Sequence, residues 1–486
     1  MHFSFSRMLQ SLLLVMVICS TGFSQVGGGG GGVGGGGGGT GGGTGGGTGG
    51  GTGGTGTGTG SGAAGVEIDA AGVLRVMQSN PQITAMQLQA AKQSLPSDLS
   101  RTSKMRKVSL NRLEKAAAKK LAAGQELSPE MIAMAGLTRV EYVFFYPESG
   151  DIVLAGPAEG FGRDSLGRIV GVDSQRPCIL LDDAIVALRA FGPSAKKNNL
   201  IKVSIDPTQE GLQRYQQALR QIGGTFTPSD VPFIVNTLQQ ALGLNEVTIG
   251  GVPAGTHFAH ILTEADYRMK LIGIGLEPVP VPMQNYISRL STTMTSSNAL
   301  VRWFFVPDYE ALVVSEDGSA MHLVGNGVKL IGEDEKVDGN GNRSSSGKAA
   351  NPASRGYTSE FTKKFNNIAA SHPVYAQLRN LVDLSIAAAY IQDQNMYGKS
   401  NWNLGVFGDE DKLAVEVLPP PRQVETAINA VMKGSRLITP IGGGVQIQAR
   451  NELKSDSVKK DKDGSVAKVK SATSLQGLAE GQWWWD

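Results

Sequence analysis

Val140-Glu-Tyr-Val-Phe-Phe-Tyr-Pro-Glu-Ser-Gly-Asp-Ile-Val-Leu-Ala-Gly156 is the stretch that decides the fold class. It reads as an apolar run, a Pro-Glu-Ser-Gly turn and a second apolar run, which is the pattern of a β-hairpin. The first run is apolar at odd and even positions alike, so it belongs inside a sheet and not at an edge. A similar stretch recurs as Leu300-Val-Arg-Trp-Phe-Phe-Val-Pro-Asp-Tyr-Glu-Ala-Leu-Val-Val314. Aligning Pro147 with Pro307 sets Phe144 and Phe145 on Phe304 and Phe305, and Ile152, Val153 and Leu154 on Leu312, Val313 and Val314. Two readings stay open, a duplicated unit or two hairpins obeying the same rules.

Strand-to-helix passages surround these hairpins. Residues 66–77 read as a short hairpin, followed by helices at about 84–93 and 109–123, the second with Leu110, Leu113, Ala117 and Leu121 at helical spacing. Between the two main hairpins come a helix at 179–191, a strand at 202–206 leading into a helix at 209–222, and a strand from 246 leading into a helix at 257–272. Turns at 316–319 and 325–327 continue a meander, and residues 332–356 form a polar Gly/Ser/Asn-rich loop, expected to be mobile. A helical section at 359–397 is broken at Ser371-His-Pro373, with a further helix expected at about 422–432 and a Gly-interrupted strand at 437–450. The expectation is an α+β body over 66–450, in one or two lobes, with a mixed sheet of hairpins and strand-helix units and a helical C-terminal section. Residues 451–486 mix Lys and Asp without apolar periodicity and read as a disordered tail, and its end, Trp483-Trp484-Trp485-Asp486, offers exposed indoles that could dock on the chain's own domain, on a partner or at a membrane interface.

The start of the chain carries an export signal. Arg7 precedes the apolar run Leu12 to Ile18, and small residues at Gly22 and Ser24 place a cut that leaves Gln25 first. The run is shorter than the roughly 20 residues of a membrane span, and no second span follows. Ile18 before Cys19 argues against lipidation, since that position takes a small residue. Residues 25–65 form a linker in which 27 glycines fall between Gly27 and Gly62, with Thr40, Thr44, Thr48 and Thr52 at intervals, so it is expected to be a disordered spacer. Cys178 is then the lone thiol, read as a buried apolar residue, and no internal disulfide forms. Lys plus Arg number 45 against 43 Asp plus Glu, a balance that gives no case for nucleic-acid binding.

Two clusters could carry chemistry. His257, His260 and Glu264 lie three and four positions apart on one face of a helix, the spacing that divalent-metal sites use. Phe258, Ile261, Leu262, Ala265 and Met269 define another face, so the His/Glu face is expected to meet solvent or a cleft. Arg101, Lys104, Arg106, Lys107 and Arg112 head a basic stripe reaching Lys120 that offers an anion-binding helix face. Asp182 and Asp183 read as an acidic helix start, and 338–342 as an incomplete calcium loop with Arg343 where glycine is needed. No nucleophile elbow, phosphate loop or dinucleotide fingerprint occurs in a strand-to-helix setting.

Asp151-Ile-Val-Leu-Ala-Gly-Pro-Ala-Glu-Gly160, Glu264-Ala-Asp-Tyr-Arg-Met-Lys-Leu-Ile-Gly-Ile-Gly-Leu-Glu277 and Arg302-Trp-Phe-Phe-Val-Pro-Asp-Tyr309 carry a resemblance. Over residues 95–450 the chain resembles a family of exported planctomycete proteins known as a domain of unknown function. That resemblance implies a bacterial exported setting, periplasmic or extracellular, and nothing chemical. The leading expectation is a non-enzymatic binding or scaffold protein of the cell envelope, with an envelope protein or polymer as partner and no cofactor. Alternatives are a metal-dependent hydrolase using His257, His260 and Glu264, and adhesion to anionic envelope polymer through the basic helix.

Overall fold

The computed structural model describes residues 65–196, 199–223, 227–290, 299–337, 343–345, 351–429, 441–472, 475 and 478–486. The segments expected to be an export signal and an incomplete calcium loop, and nearly all of the expected Gly/Thr linker, lie outside them. Among the described residues two large sheets form, and the fold is α+β as expected. In the nine-stranded sheet the spatial order is Val66–Ile68, Val73–Val76, Gln423–Glu425, Leu244–Gly250, Ile201–Asp206, Ile441–Ile447, Ala299–Asp308, Gly327–Val337, Arg343–Ser345. In the seven-stranded sheet it is Val458–Lys460, Ala311–Val314, Ala320–Val324, Tyr142–Tyr146, Asp151–Ala158, Ser103–Ser109, Trp484–Trp485.

The first hairpin closes as read, with Tyr146 opposite Asp151 and Tyr142 opposite Ala155. The second apolar stretch does something else. Its two halves do not pair with each other: Ala299–Asp308 pairs with Gly327–Val337 in one sheet, and Ala311–Val314 with Ala320–Val324 in the other. Asp308 faces Gly327 and Ala311 faces Val324, so one register runs unbroken through both sheets. The result is a single long ribbon, bent where it crosses. Pro307 marks an approach to that bend, whereas Pro147 marks a turn, so the matched hydropathy of the two stretches does not reflect matched pairing.

At the bend the backbone takes left-handed values at Gly325 (φ 113) and Gly327 (φ 80), which favour glycine. Pairing still continues there, Glu310 N–H donating to the Val324 carbonyl at 2.9 Å. Asp383, on the long helix Pro373–Asp393, holds the bend from beneath. It accepts from Tyr309 Oη at 2.7 Å and from Arg139 Nε at 3.0 Å, while Arg139 Nη2 donates to the Gly325 carbonyl at 2.9 Å. Residues from both sheets and this helix share one continuous hydrophobic core. Cys178 lies in that core as an apolar residue, its thiol pKa pushed up by burial.

The hairpin strands show why both of their faces are apolar. Val143, Phe145, Ile152 and Leu154 enter the main core, whereas Phe144, Tyr146, Val153 and Ala155 form a second cluster with Val466, Trp485, Val469, Leu475 and Leu478. The cover on that outer face is the segment expected to be a disordered tail. Instead, Val458–Lys460 pairs in parallel with Ala311–Val314, Ser465–Ala472 forms a helix, and Trp484–Trp485 pairs with Ser103–Ser109. Short apolar residues spaced among lysines gave no periodic signal, yet a waiting apolar sheet face is enough to order them.

Other boundaries also move. The helix expected at 422–432 is instead the strand Gln423–Glu425 where described, with residues 430–440 outside the described set. The polar 332–356 segment contains the end of Gly327–Val337, the strand Arg343–Ser345 and the start of the helix Pro352–Lys363. Helix Val231–Leu242 is an addition, packing with Gln209–Ile222 around a small core of Leu212, Tyr215, Ile234, Leu238 and Leu242.

A Cβ on Gly325 would stand 2.8 Å from the Glu310 nitrogen. Gly325→Ala is expected to lower unfolding free energy by about 1–3 kcal/mol in denaturant titration. An unchanged midpoint would mean that the bend is not fixed by this residue.

Candidate functional site

The helix His257–Gly273 begins at Thr256, whose hydroxyl accepts the Ala259 N–H as an N-cap. Its bounds agree with the sequence expectation, but its orientation does not. His257, His260 and Glu264 are all buried, at 4%, 5% and 0% exposure, so the face read as meeting solvent or a cleft is closed. The helix packs against the long helix Pro373–Asp393, the strands Ile201–Asp206 and Ile441–Ile447, and the helix Leu181–Ala190. Local charge pairing makes this burial tolerable. Glu264 pairs with Arg268 Nε at 2.8 Å and Asp266 with Lys270 Nζ at 2.7 Å, each one helical turn apart.

The three sequence candidates point to three different partners. His257 Nδ1 lies 2.9 and 3.0 Å from the two oxygens of Asp183. His260 Nε2 donates to the Pro419 carbonyl at 2.8 Å. Glu264 accepts the Gly65 N–H at 2.7 Å as well as Arg268, and a Cβ on Gly65 would collide with its carboxylate at 2.3 Å. Among the described residues, no group of three His, Cys, Asp or Glu side chains is placed to hold a metal ion. The triad's spacing instead distributes anchors: to the helix Leu181–Ala190, to the 419 segment and to Gly65, the first described residue.

Burial alone would depress the His257 pKa, but the carboxylate of Asp183 outweighs it and holds the group above its ordinary value. His260 moves the other way: burial lowers it, and the Pro419 carbonyl only partly offsets that. Burial pushes Asp266 up to about 6, against the pull of Lys270.

The basic stripe is divided between a strand and a helix. Residues Ser103–Ser109 are a strand, so their side chains alternate instead of sharing a helical face. Arg101 and Lys104 are exposed. Arg106 turns fully inward, and its guanidinium pairs with Asp486 at 2.8 Å. Lys107 is half-buried, with a pKa lowered by burial against the attraction of Asp486. Arg112, on the helix Leu110–Ala122, donates to both oxygens of Asp151 at 2.9 and 3.1 Å. Three of the five candidate anion ligands are therefore spent on, or turned toward, the protein's own carboxylates.

A concave surface lies where sequence reasoning placed none. A cleft of about 770 Å³ opens between the tip of the ribbon and the C-terminal segment, bordered by Glu148, Glu316, Asp317, Asp461 and Asp463 against Lys462 and Lys470. Its two walls are alike in sequence: Asp317-Gly-Ser319 on the ribbon and Asp463-Gly-Ser465 before the C-terminal helix. Asp317 accepts from Ser315 Oγ at 2.7 Å and from Ser319 N at 3.0 Å, and these bonds outweigh its desolvation to hold its pKa at about 2. Lys470 Nζ donates to Ser319 Oγ at 2.6 Å and stands 5.4 Å from the centre of the Tyr146 ring. Tyr146 Oη donates to the Lys470 carbonyl at 3.2 Å, tying floor to wall. The repeated Asp-Gly-Ser turn was the signal available in the sequence. Only the fold brings its two copies to one cleft.

Because its folded pKa is raised, the His257–Asp183 pair contributes fully below the unfolded histidine value of about 6.5 and loses that contribution as pH rises through the folded value. Unfolding free energy measured by denaturant from roughly pH 6 to 9 is expected to fall with a slope that Asp183→Asn lacks. Breaking the pair should also cost about 3 kcal/mol at the acidic end. Equal slopes in the two proteins would show that the pair is uncharged.

No curated protein and no solved structure matches the chain. Residues 203–286, which run from the strand Ile201–Asp206 through the helix His257–Gly273 to Tyr286, match the family described as protein of unknown function (DUF1598).

Proposed function

We propose that this is an exported, non-enzymatic binding protein of the bacterial cell envelope, and that it takes cationic groups of its partner in the cleft between the two Asp-Gly-Ser turns. The observation that carries the reading is the composition of that cleft, five carboxylates against two lysines on an open concave surface. Glu148, Glu316 and Asp463 are exposed there. Asp317 stays ionised down to about pH 2, which keeps the wall acidic in any ordinary compartment.

Export rests on the sequence of the first 24 residues, and the Gly/Thr composition of the segment after them supports a spacer. The resemblance to exported planctomycete proteins supports the same address. The folded histidines and the basic strand serve internal pairing, so the hydrolase and polymer-adhesion readings gain no support from their placement.

Two measurements test the proposal. Amino-terminal sequencing of protein from a bacterial envelope fraction is expected to read Gln25 first, and a chain that retains Met1 in the cytoplasm would contradict export. Calorimetric titration with an oligolysine peptide is expected to show saturable binding that weakens as salt rises past about 0.15 M. Glu316→Gln with Asp463→Asn should weaken it by roughly tenfold. Binding that is identical in the double variant would place the ligand elsewhere.

A further inference from the structure

The last four residues dock on the seven-stranded sheet as a bound peptide would. Trp484 lies opposite Val108 and Trp485 opposite Lys107, and Ser109 N–H donates to the Trp483 carbonyl at 2.9 Å. Trp483 and Trp485 are buried. Asp486 is gripped by Arg106, with Nε at 2.8 Å from one carboxylate oxygen and Nη2 at 2.9 Å from the other. The Arg106 side chain has no exposed surface, and its guanidinium lies 4.7 Å from the centre of the Trp484 ring. Carbonyls of Ala135 and Arg101 accept its other N–H groups at 2.7 and 3.0 Å, so the body holds the guanidinium on the side away from the tail. A strand edge, an oriented buried guanidinium and apolar seats for indoles are the parts of a β-augmentation site.

We infer that the Ser103–Ser109 edge with Arg106 is a docking site for a Trp-Trp-Asp segment, filled in cis here and able to take the same segment from a second copy of this chain. The connection between the helix ending at Ala472 and Trp484 is eleven residues, which extended reach roughly 36–40 Å, enough to pass to a neighbouring molecule. In cis the tail competes at an effective concentration on the order of millimolar, so the site accepts a second tail only when its own is weakened.

Complementation of full-length variants tests this. Asp486→Ala weakens the tail and leaves the site, whereas Arg106→Ala removes the site and leaves the tail free. Mixed, the two are expected to form a heterodimer by light scattering after size exclusion, while each alone shows less association. Separately, a labelled peptide of residues 478–486 should bind full-length Asp486→Ala roughly tenfold more tightly than the unmodified chain, and a peptide with Asn in place of the terminal Asp should lose that binding. If Arg106→Ala fails to fold, the peptide comparison decides alone, with Asp486→Asn as the milder acceptor. No saturable peptide binding to either folded Asp486 variant would overturn the inference.

Discussion

Asp383 has no exposed side-chain surface, and both of its oxygens are engaged, one by Tyr309 on the ribbon and one by Arg139 on the segment leading into the first hairpin. A carboxylate in that position must be paired, because leaving it buried alone costs several kcal/mol, about 3–5 by analogy with broken buried pairs. Tyr309 lies in the crossing between Ala299–Asp308 and Ala311–Val314, and Arg139 also donates to the Gly325 carbonyl on the opposite strand of the ribbon, so satisfying one charge holds the crossing from both sides. Burial lowers the pKa of nearby Arg379 to about 10, with Arg139 adding repulsion, which marks how little solvent reaches this junction. The continuous core on either side depends on the crossing being held at this angle. The ribbon would otherwise have to choose one sheet.

Much of the secondary structure was legible, and the reasons are local. The helices at 209–222 and 257–273 follow from caps and apolar spacing, with Thr208 and Thr256 accepting backbone N–H groups at their starts. The direction in which the second helix faces was not legible from its apolar positions. Glu264 with Arg268 and Asp266 with Lys270 cancel within the helix, so the polar face buries without stranding a charge. Those four-residue spacings are visible in the sequence, but whether a pair lies in solvent or in the core depends on what packs over it. His257 met Asp183 across 74 positions, a distance no local pattern reports.

The same limit governs the second apolar stretch and the C-terminal segment. Residues 300–314 look like residues 140–156 because hydropathy records burial and not the partner strand. The segment after Asn451 looked unstructured because its apolar residues are few and irregular. Phe144, Tyr146, Val153 and Ala155 required cover, and the residues providing it come from Val466 to Trp485. A strand apolar on both faces is thus a statement about some other segment of the chain. Read that way, the first hairpin already called for an ordered tail. It could not say that the ribbon tip and the tail would leave an acidic cleft between them.

The tail's place in the sheet also sets an order of events during synthesis. The ribbon and the first hairpin pair neighbours in sequence, so loop closure is inexpensive and both can form early. The outer face of the hairpin strands stays wet until Val466 and Trp485 have been made, more than 300 residues after the strands they cover. Arg106 likewise waits for Asp486 across 380 positions. A chain emerging from N- to C-terminus therefore carries an apolar, edge-open sheet face while the more than 300 residues between Ala155 and Val466 are made, and that face becomes dry only when Val466 and Trp485 arrive.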